Sequence, residues 1–184
     1  MLRTRMAGGV RARGGRPPRL LDWRRQVSMN ILEELKAITT KLDGEGVPYA
    51  LCGGLAMAVY ALPRATLDID MMIEMDTLFR VRRAMHDLGF TLSAAPMEFK
   101  GGSVQIFRLC KVDSESGEEL ILDLLIVTPE TREAWESRQT TQWEEGEISV
   151  VSPSGLIALK ALRGSGQDRD DIDYLRSISD ETAD

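Results

Sequence analysis

The feature that most constrains this chain is a pair of aspartates, Asp68 and Asp70, set around Ile69 at the head of the apolar run Met71-Met72-Ile73. The run reads as a buried strand. Residues two apart in a strand point to the same face, so the two carboxylates stand side by side. Like charges at that spacing repel and burial adds a desolvation cost, so a divalent cation is the natural compensation. A second strand-like run, Leu120 to Val127, is apolar everywhere except at Asp123. An ionised carboxylate there needs a partner. The sequence offers Arg64, Arg108, a backbone N–H, or the same cation held by Asp68 and Asp70.

A chain of 184 residues with 43% hydrophobic and 28% charged residues has the size and composition of one globular domain. No apolar run reaches the roughly 18 residues that span a bilayer, and a secretory h-region is missing, so a soluble cytoplasmic protein without a membrane partner is expected. Cys52 and Cys110 form no CxxC or Cys/His cluster, which argues against zinc and gives no disulfide framework. The single histidine, His86, lies among charges in a helical stretch and reads as a surface residue. Residues 1–25 carry eight arginines against Asp22, about +7, which leaves about −13 on the rest of a chain whose net charge is −6. An acidic body is a poor general binder of nucleic acid.

Two regions are expected, a disordered Arg/Gly/Pro-rich leader over 1–27 and one domain over 28–180. Three readings of the leader stay open: a basic tail for an anionic partner such as RNA, an organelle transit segment, or translated upstream sequence ahead of a working start at Met29. The domain opens with an amphipathic helix from Ser28, as N-cap, to Leu42. Val47 to Cys52 reads as a strand, Gly53-Gly54 as a tight turn, and Leu55 to Leu62 as a helix. Strand, glycine turn and helix together leave free N–H groups for an anion, or else mark a close helix–strand crossing. Thr66 to Met75 is the acid strand, followed by a helix capped by Asp76 and ended by Gly89. A strand at Phe90 to Ala95 comes next. Ser103 to Val112 and Leu120 to Val127 form a hairpin. Pro129 to Arg138 reads as a helix, and strands at 140–144 and 147–151 as a second hairpin. Ser152 caps a helix beginning at Pro153, Gly164-Ser165-Gly166 breaks it, and a last helix runs from Asp168 to Ile178. The fold class is therefore α+β: a small, mixed, mostly antiparallel sheet flanked by helices, with C-terminal helices.

Three carboxylates on neighbouring strands suit phosphoryl or nucleotidyl transfer, because two Mg²⁺ ions about 3.5–4 Å apart can bind both the attacking oxygen and the leaving pyrophosphate. The Gly53-Gly54 turn would then hold the triphosphate.

The order Gly53-Gly54, apolar helix, Arg64-x-Thr66-x-Asp68-Ile69-Asp70 and a later lone acid resembles the polymerase-β-type nucleotidyltransferase superfamily. Within it, the chain looks most like the small bacterial enzymes of abortive-infection and toxin–antitoxin systems. Leu156-Ile157-Ala158-Leu159-Lys160-Ala161 followed by Asp168-x-x-Asp171-Ile172 resembles their ending. The similarity covers roughly residues 30–178 and implies the nucleotidyltransferase fold. It implies that Asp68 and Asp70 bind both metal ions, and that Asp123 binds the one that activates the acceptor hydroxyl. Gly53 and Gly54 would contact the β- and γ-phosphates. The commonest form of the motif has Ser where this chain has Gly54, which implies backbone contacts alone and reduced nucleotide affinity. Lys160 would reach a phosphate or the nucleobase, or is a polar-face lysine. Arg64 holds a phosphate or neutralises the acids, and the structural role is the preferred reading. Thr66 orients the acid strand. Asp168 and Asp171 are helix-capping or ion-pair residues, and Glu74 lies too far along the strand to join the metal site.

The resemblance thus implies Mg²⁺-dependent transfer of a nucleoside monophosphate from a nucleoside triphosphate to a hydroxyl, with a tRNA 3′ end, a protein or a small molecule as acceptor and a cognate antitoxin as a further partner. The alternative is a nucleotide-binding or antitoxin-type module that keeps the fold and has lost turnover. A third reading is an α+β domain with incidental acids.

Overall fold

In the computed structural model, residues 29–60, 66–143, 146–163 and 166–181 are described. The leader, Arg64, the break at 164–165 and the last three residues lie outside them. In chain order the elements are α1 (Ile31–Gly44), β1 (Ala50–Cys52), α2 (Gly53–Val59), β2 (Asp68–Ile73), α3 (Leu78–Asp87), β3 (Leu92–Ser93), β4 (Met97–Phe99), β5 (Val104–Val112), β6 (Glu119–Ile126), α4 (Arg132–Glu136), β7 (Gln139–Trp143), β8 (Gly146–Val150), α5 (Pro153–Arg163) and α6 (Gly166–Glu181). The strands form one sheet in the order β3-β5-β6-β2-β1-β8-β7, with β4 added to β5. The pairings β2·β6 and β1·β8 are parallel and the others antiparallel. This is the mixed, mostly antiparallel α+β sheet the residue pattern predicts.

The two faces of the sheet are used differently. Ile69, Met71 and Ile73 of β2 lie beside Leu122, Leu124 and Ile126 of β6, and all six are buried in one core with Leu35, Ile38 and Leu42 of α1 and Val81, Ala84 and Met85 of α3. Lys111 of β5 shares this face with Leu109 and reaches Glu34 of α1 at 2.6 Å, which fixes the helix on this side. The opposite face carries the acids. There Ile106, Cys110, Ile121 and Leu125 are only half-buried, so β5 and β6 present an accessible wall beside Asp123.

Local departures from the sequence reading have identifiable causes. The N-cap of α1 is Asn30 rather than Ser28: its extended backbone lets the side chain accept from the Leu32 N–H at 3.0 Å, the role Asn and Ser fill equally well. Asp76 does not cap α3. The chain leaves β2 through a 3₁₀ turn, Met75–Thr77, and the Thr77 hydroxyl donates to the Glu74 carbonyl at 2.7 Å, so helical backbone is already set before Leu78. The expected strand at 90–95 shrinks to Leu92–Ser93, and a further strand, Met97–Phe99, follows Pro96, which cannot donate to a ladder. α4 is confined to Arg132–Glu136 because Thr128 N–H donates to the Thr131 hydroxyl at 2.9 Å, folding the preceding residues into a side-chain-closed turn. Ser152 caps α5 as expected, accepting from the Gly155 N–H at 3.1 Å. His86 is exposed, and both cysteines are free thiols. No helix among the described residues is long and apolar enough to cross a membrane.

Candidate active site

Strand register lines up the chemistry. Cys52 of β1 is opposite Asp70 of β2, Asp70 lies beside Asp123 of β6, and Asp123 is opposite Arg108 of β5. A single row across four strands therefore reads Cys52, Asp70, Asp123, Arg108, with Asp68 two residues before Asp70 on the same face. One carboxylate oxygen from each of Asp68, Asp70 and Asp123 falls within 4.8 Å of the others. Asp123 is buried, 5% exposed, whereas Asp68 and Asp70 are half-buried. The donor set is all carboxylate oxygen, which fits a hard divalent cation such as Mg²⁺ or Mn²⁺ and does not fit zinc or copper.

Two side chains hold the acids, and two glycines leave room for the arrangement. Arg108 donates from Nε and Nη2 to the two carboxylate oxygens of Asp123, at 2.8 and 2.7 Å. The bidentate hydrogen bond raises the Arg108 pKa, and the charges of Asp123, Asp68 and Asp70 add to it, so this guanidinium sits in the field of the whole triad. Thr66, expected to orient the acid strand, donates its hydroxyl to Asp68 Oδ1 at 2.5 Å. Gly53 has φ of +64°, a conformation that suits glycine, and any Cβ there would overlap the Asp70 carboxylate. Gly54 has no such backbone requirement; a Cβ there would lie 2.9 Å from the Thr66 hydroxyl oxygen. Both glycines are the first residues of α2, so the start of that helix abuts the acid strand.

Lys160 lies on α5 with its side chain 12% exposed, pairing with Asp171 of α6 at 2.7 Å and with Asp168 at 3.7 Å. The ion-pair role expected of the two aspartates is what the structure has. The lysine charge also reaches Cys52: burial pushes its thiol well up, the charge of Asp70 pushes it further, and Lys160 opposes them. Glu74 stands apart, held by Arg132 at 2.5 and 3.2 Å. Of the predicted site residues, the structure brings Asp68, Asp70, Asp123, Gly53, Gly54 and Thr66 together, and Arg64 lies outside the described residues. Arg108 is the residue that sequence reasoning left as one candidate among several. Its signal was the alternation of the hairpin, which puts it on the Asp123 face.

No protein-family model matches this chain, and no curated protein matches it. Solved structures do. A Thermotoga maritima protein proposed to be a nucleotidyltransferase superposes with a TM-score of 0.52 at 15% identity, covering 82% of this chain and 93% of that one. The fold is therefore that of the nucleotidyltransferases, as the motifs imply. ANT(2″)-Ia in complex with adenylyl-2″-tobramycin also matches, with a TM-score of 0.46 at 16% identity over 82% of this chain and 99% of that one. JHP933 from Helicobacter pylori matches with a TM-score of 0.44 at 20% identity, over 78% of this chain and 63% of that one.

Proposed function

We propose that this chain is a divalent-metal-dependent nucleotidyltransferase that moves a nucleoside monophosphate from a nucleoside triphosphate to a hydroxyl. The observation that carries the reading is the convergence of Asp68, Asp70 and Asp123 within 4.8 Å on the accessible face of a sheet with this fold. Asp68, Asp70 and Asp123 would hold a pair of Mg²⁺ ions, which supply charge neutralisation at the triphosphate and make the acceptor hydroxyl easier to deprotonate.

The chain's own residues do the rest. The acceptor oxygen forms a bond to the α-phosphorus, the bond from that phosphorus to the bridging oxygen breaks, and pyrophosphate leaves with the electron pair. Asp123, nearest the open wall of β5 and β6, orients the acceptor hydroxyl and takes its proton. The N–H groups of Gly53 and Gly54 hold the β- and γ-phosphates, and Arg108 keeps Asp123 in place. A tRNA 3′ end, a protein or a small molecule serves as acceptor, and membership of a toxin–antitoxin pair would add a cognate antitoxin as partner.

The test is incubation of the full chain with each α-labelled nucleoside triphosphate, Mg²⁺ and total RNA or protein, alongside Asp68→Ala and Asp123→Ala. Metal-dependent labelling by the wild type alone is expected. Labelling that persists in both variants would falsify the assignment. Calorimetric binding of nucleotide without any product would instead favour the module that keeps the fold without turnover, a reading that the missing serine at position 54 supports.

A further inference from the structure

Gly53 and Gly54 look equivalent in sequence, and the structure separates them. Gly53 is dictated by its backbone conformation and by the Asp70 carboxylate. Gly54 has neither constraint. What excludes a side chain there is Thr66: a Cβ on Gly54 would lie 2.9 Å from Thr66 Oγ1, 3.0 Å from its Cβ and 3.4 Å from its Cγ2. The contact with the hydroxyl oxygen is shorter than side chains tolerate and the one with Cβ is at that limit, so Thr66 would have to give by a few tenths of an ångström. Thr66 is β-branched and stiff at χ1, and the rotamer it holds is the one that delivers its hydroxyl to Asp68 Oδ1 at 2.5 Å and to the Asp68 carbonyl at 3.4 Å. A residue at position 54 larger than glycine and the Thr66–Asp68 hydrogen bond compete for one volume.

We propose that Thr66 is a positioning residue that fixes the carboxylate of Asp68 for the cation, and that glycine at position 54 is the condition for it. The hydroxyl comes from the residue that leads into the acid strand and is aimed at a carboxylate. This inference rests on the metal-site reading above. The hydroxyl donates to one oxygen of Asp68 and limits rotation of the carboxylate, so its loss is felt as metal affinity before it is felt as folding.

The experiment is Mn²⁺ binding to the full chain, followed by electron paramagnetic resonance of the free ion, with melting temperature recorded in parallel. Thr66→Val keeps the shape and removes the donor, and an affinity loss of about tenfold is expected. Thr66→Ser keeps the donor and stays within about twofold of wild type. Gly54→Ser displaces Thr66 and loses affinity to a similar degree, while Gly54→Ser/Thr66→Ala is no worse than Gly54→Ser alone, because the collision is gone. In turnover, Thr66→Val raises the Mg²⁺ concentration needed for half-maximal rate more than it lowers kcat at saturating metal. Thr66→Val binding Mn²⁺ as tightly as wild type overturns the proposal and leaves the metal site standing. A wild type that binds no Mn²⁺ overturns both.

Discussion

Arg108 grips both carboxylate oxygens of Asp123 from the strand directly opposite, at 2.8 and 2.7 Å, and so places a fixed cation at one end of a row of acids. Asp123 sits between Leu122 and Leu124, both fully buried, and cannot be left uncompensated there.

Replacing the arginine with an apolar side chain of similar reach, Arg108→Met, keeps the packing of the stem and removes the charge. The Arg108 side chain is 38% exposed, which discounts the ion pair, so a stability loss of about 2 kcal/mol is expected without metal. The three acids are then more dependent on a divalent ion, so Mg²⁺ should raise the melting temperature of the variant more than that of the wild type. Thermal melts with and without Mg²⁺ check this; equal metal shifts in both proteins would show that Arg108 does not share the charge of the site.

Gly53 gives a sharper case. Gly53→Ala must adopt φ of +64° and push its methyl into the Asp70 carboxylate. The left-handed conformation alone costs roughly 1–2 kcal/mol, and displacing Asp70 disturbs the pair with Asp68. Loss of at least 2 kcal/mol in urea denaturation, with Mn²⁺ affinity reduced, is the expected result. A variant of wild-type stability would mean that Asp70 can rotate away at no cost.

Much of this arrangement was legible in the sequence because it follows from period. The spacing of Asp68 and Asp70, and the lone Asp123 in an apolar octapeptide, mark one face of two strands whatever the order of the sheet. Neither period nor composition says that β2 and β6 are parallel neighbours separated by a helix and a three-strand excursion, and only that pairing sets Asp70 beside Asp123. The partner of Asp123 was undecided for the same reason: Arg64 and Arg108 are equally plausible in a linear reading, and hairpin register puts Arg108 opposite. The Asn30 cap and the 3₁₀ exit from β2 depend on local backbone angles that several nearby polar residues could have satisfied. The coupling of Gly54 to Thr66, twelve residues apart, is a matter of tenths of an ångström and has no sequence signature.

Tyr49 makes the stability pH-dependent at the alkaline end. Its ring is buried and its hydroxyl donates to Asp43 at 3.4 Å; burial, with the nearby Asp43 charge, pushes the phenol up from 10 to about 12. Below pH 10 the phenol is neutral in both states and its contribution is complete. Between about 10 and 12 the unfolded chain ionises first, so stability falls as pH rises. Tyr49→Phe should remove that slope, and the gap between the two proteins in urea midpoint should narrow or reverse by roughly 1 kcal/mol between pH 8 and pH 11. Parallel pH profiles would show that Tyr49 ionises alike in the folded and unfolded chains.

Lys160 separates a structural from a substrate role. Its ammonium lies 2.7 Å from Asp171 and 3.7 Å from Asp168, and both carboxylates are 5% exposed at the α5–α6 contact. One lysine facing two buried acids is held toward α6, and removing it takes away the ammonium that both carboxylates share. Lys160→Met should therefore cost about 2 kcal/mol in urea denaturation with no nucleotide present, and Lys160→Met/Asp171→Asn should recover part of that loss because one of the two carboxylates that the ammonium balanced is then neutral. If the lysine serves only a phosphate, the single variant keeps the wild-type urea midpoint and raises the KM for the nucleoside triphosphate instead. The ion-pair geometry favours the first result, since a side chain satisfied at 2.7 Å must give up Asp171 before it can reach into the cleft.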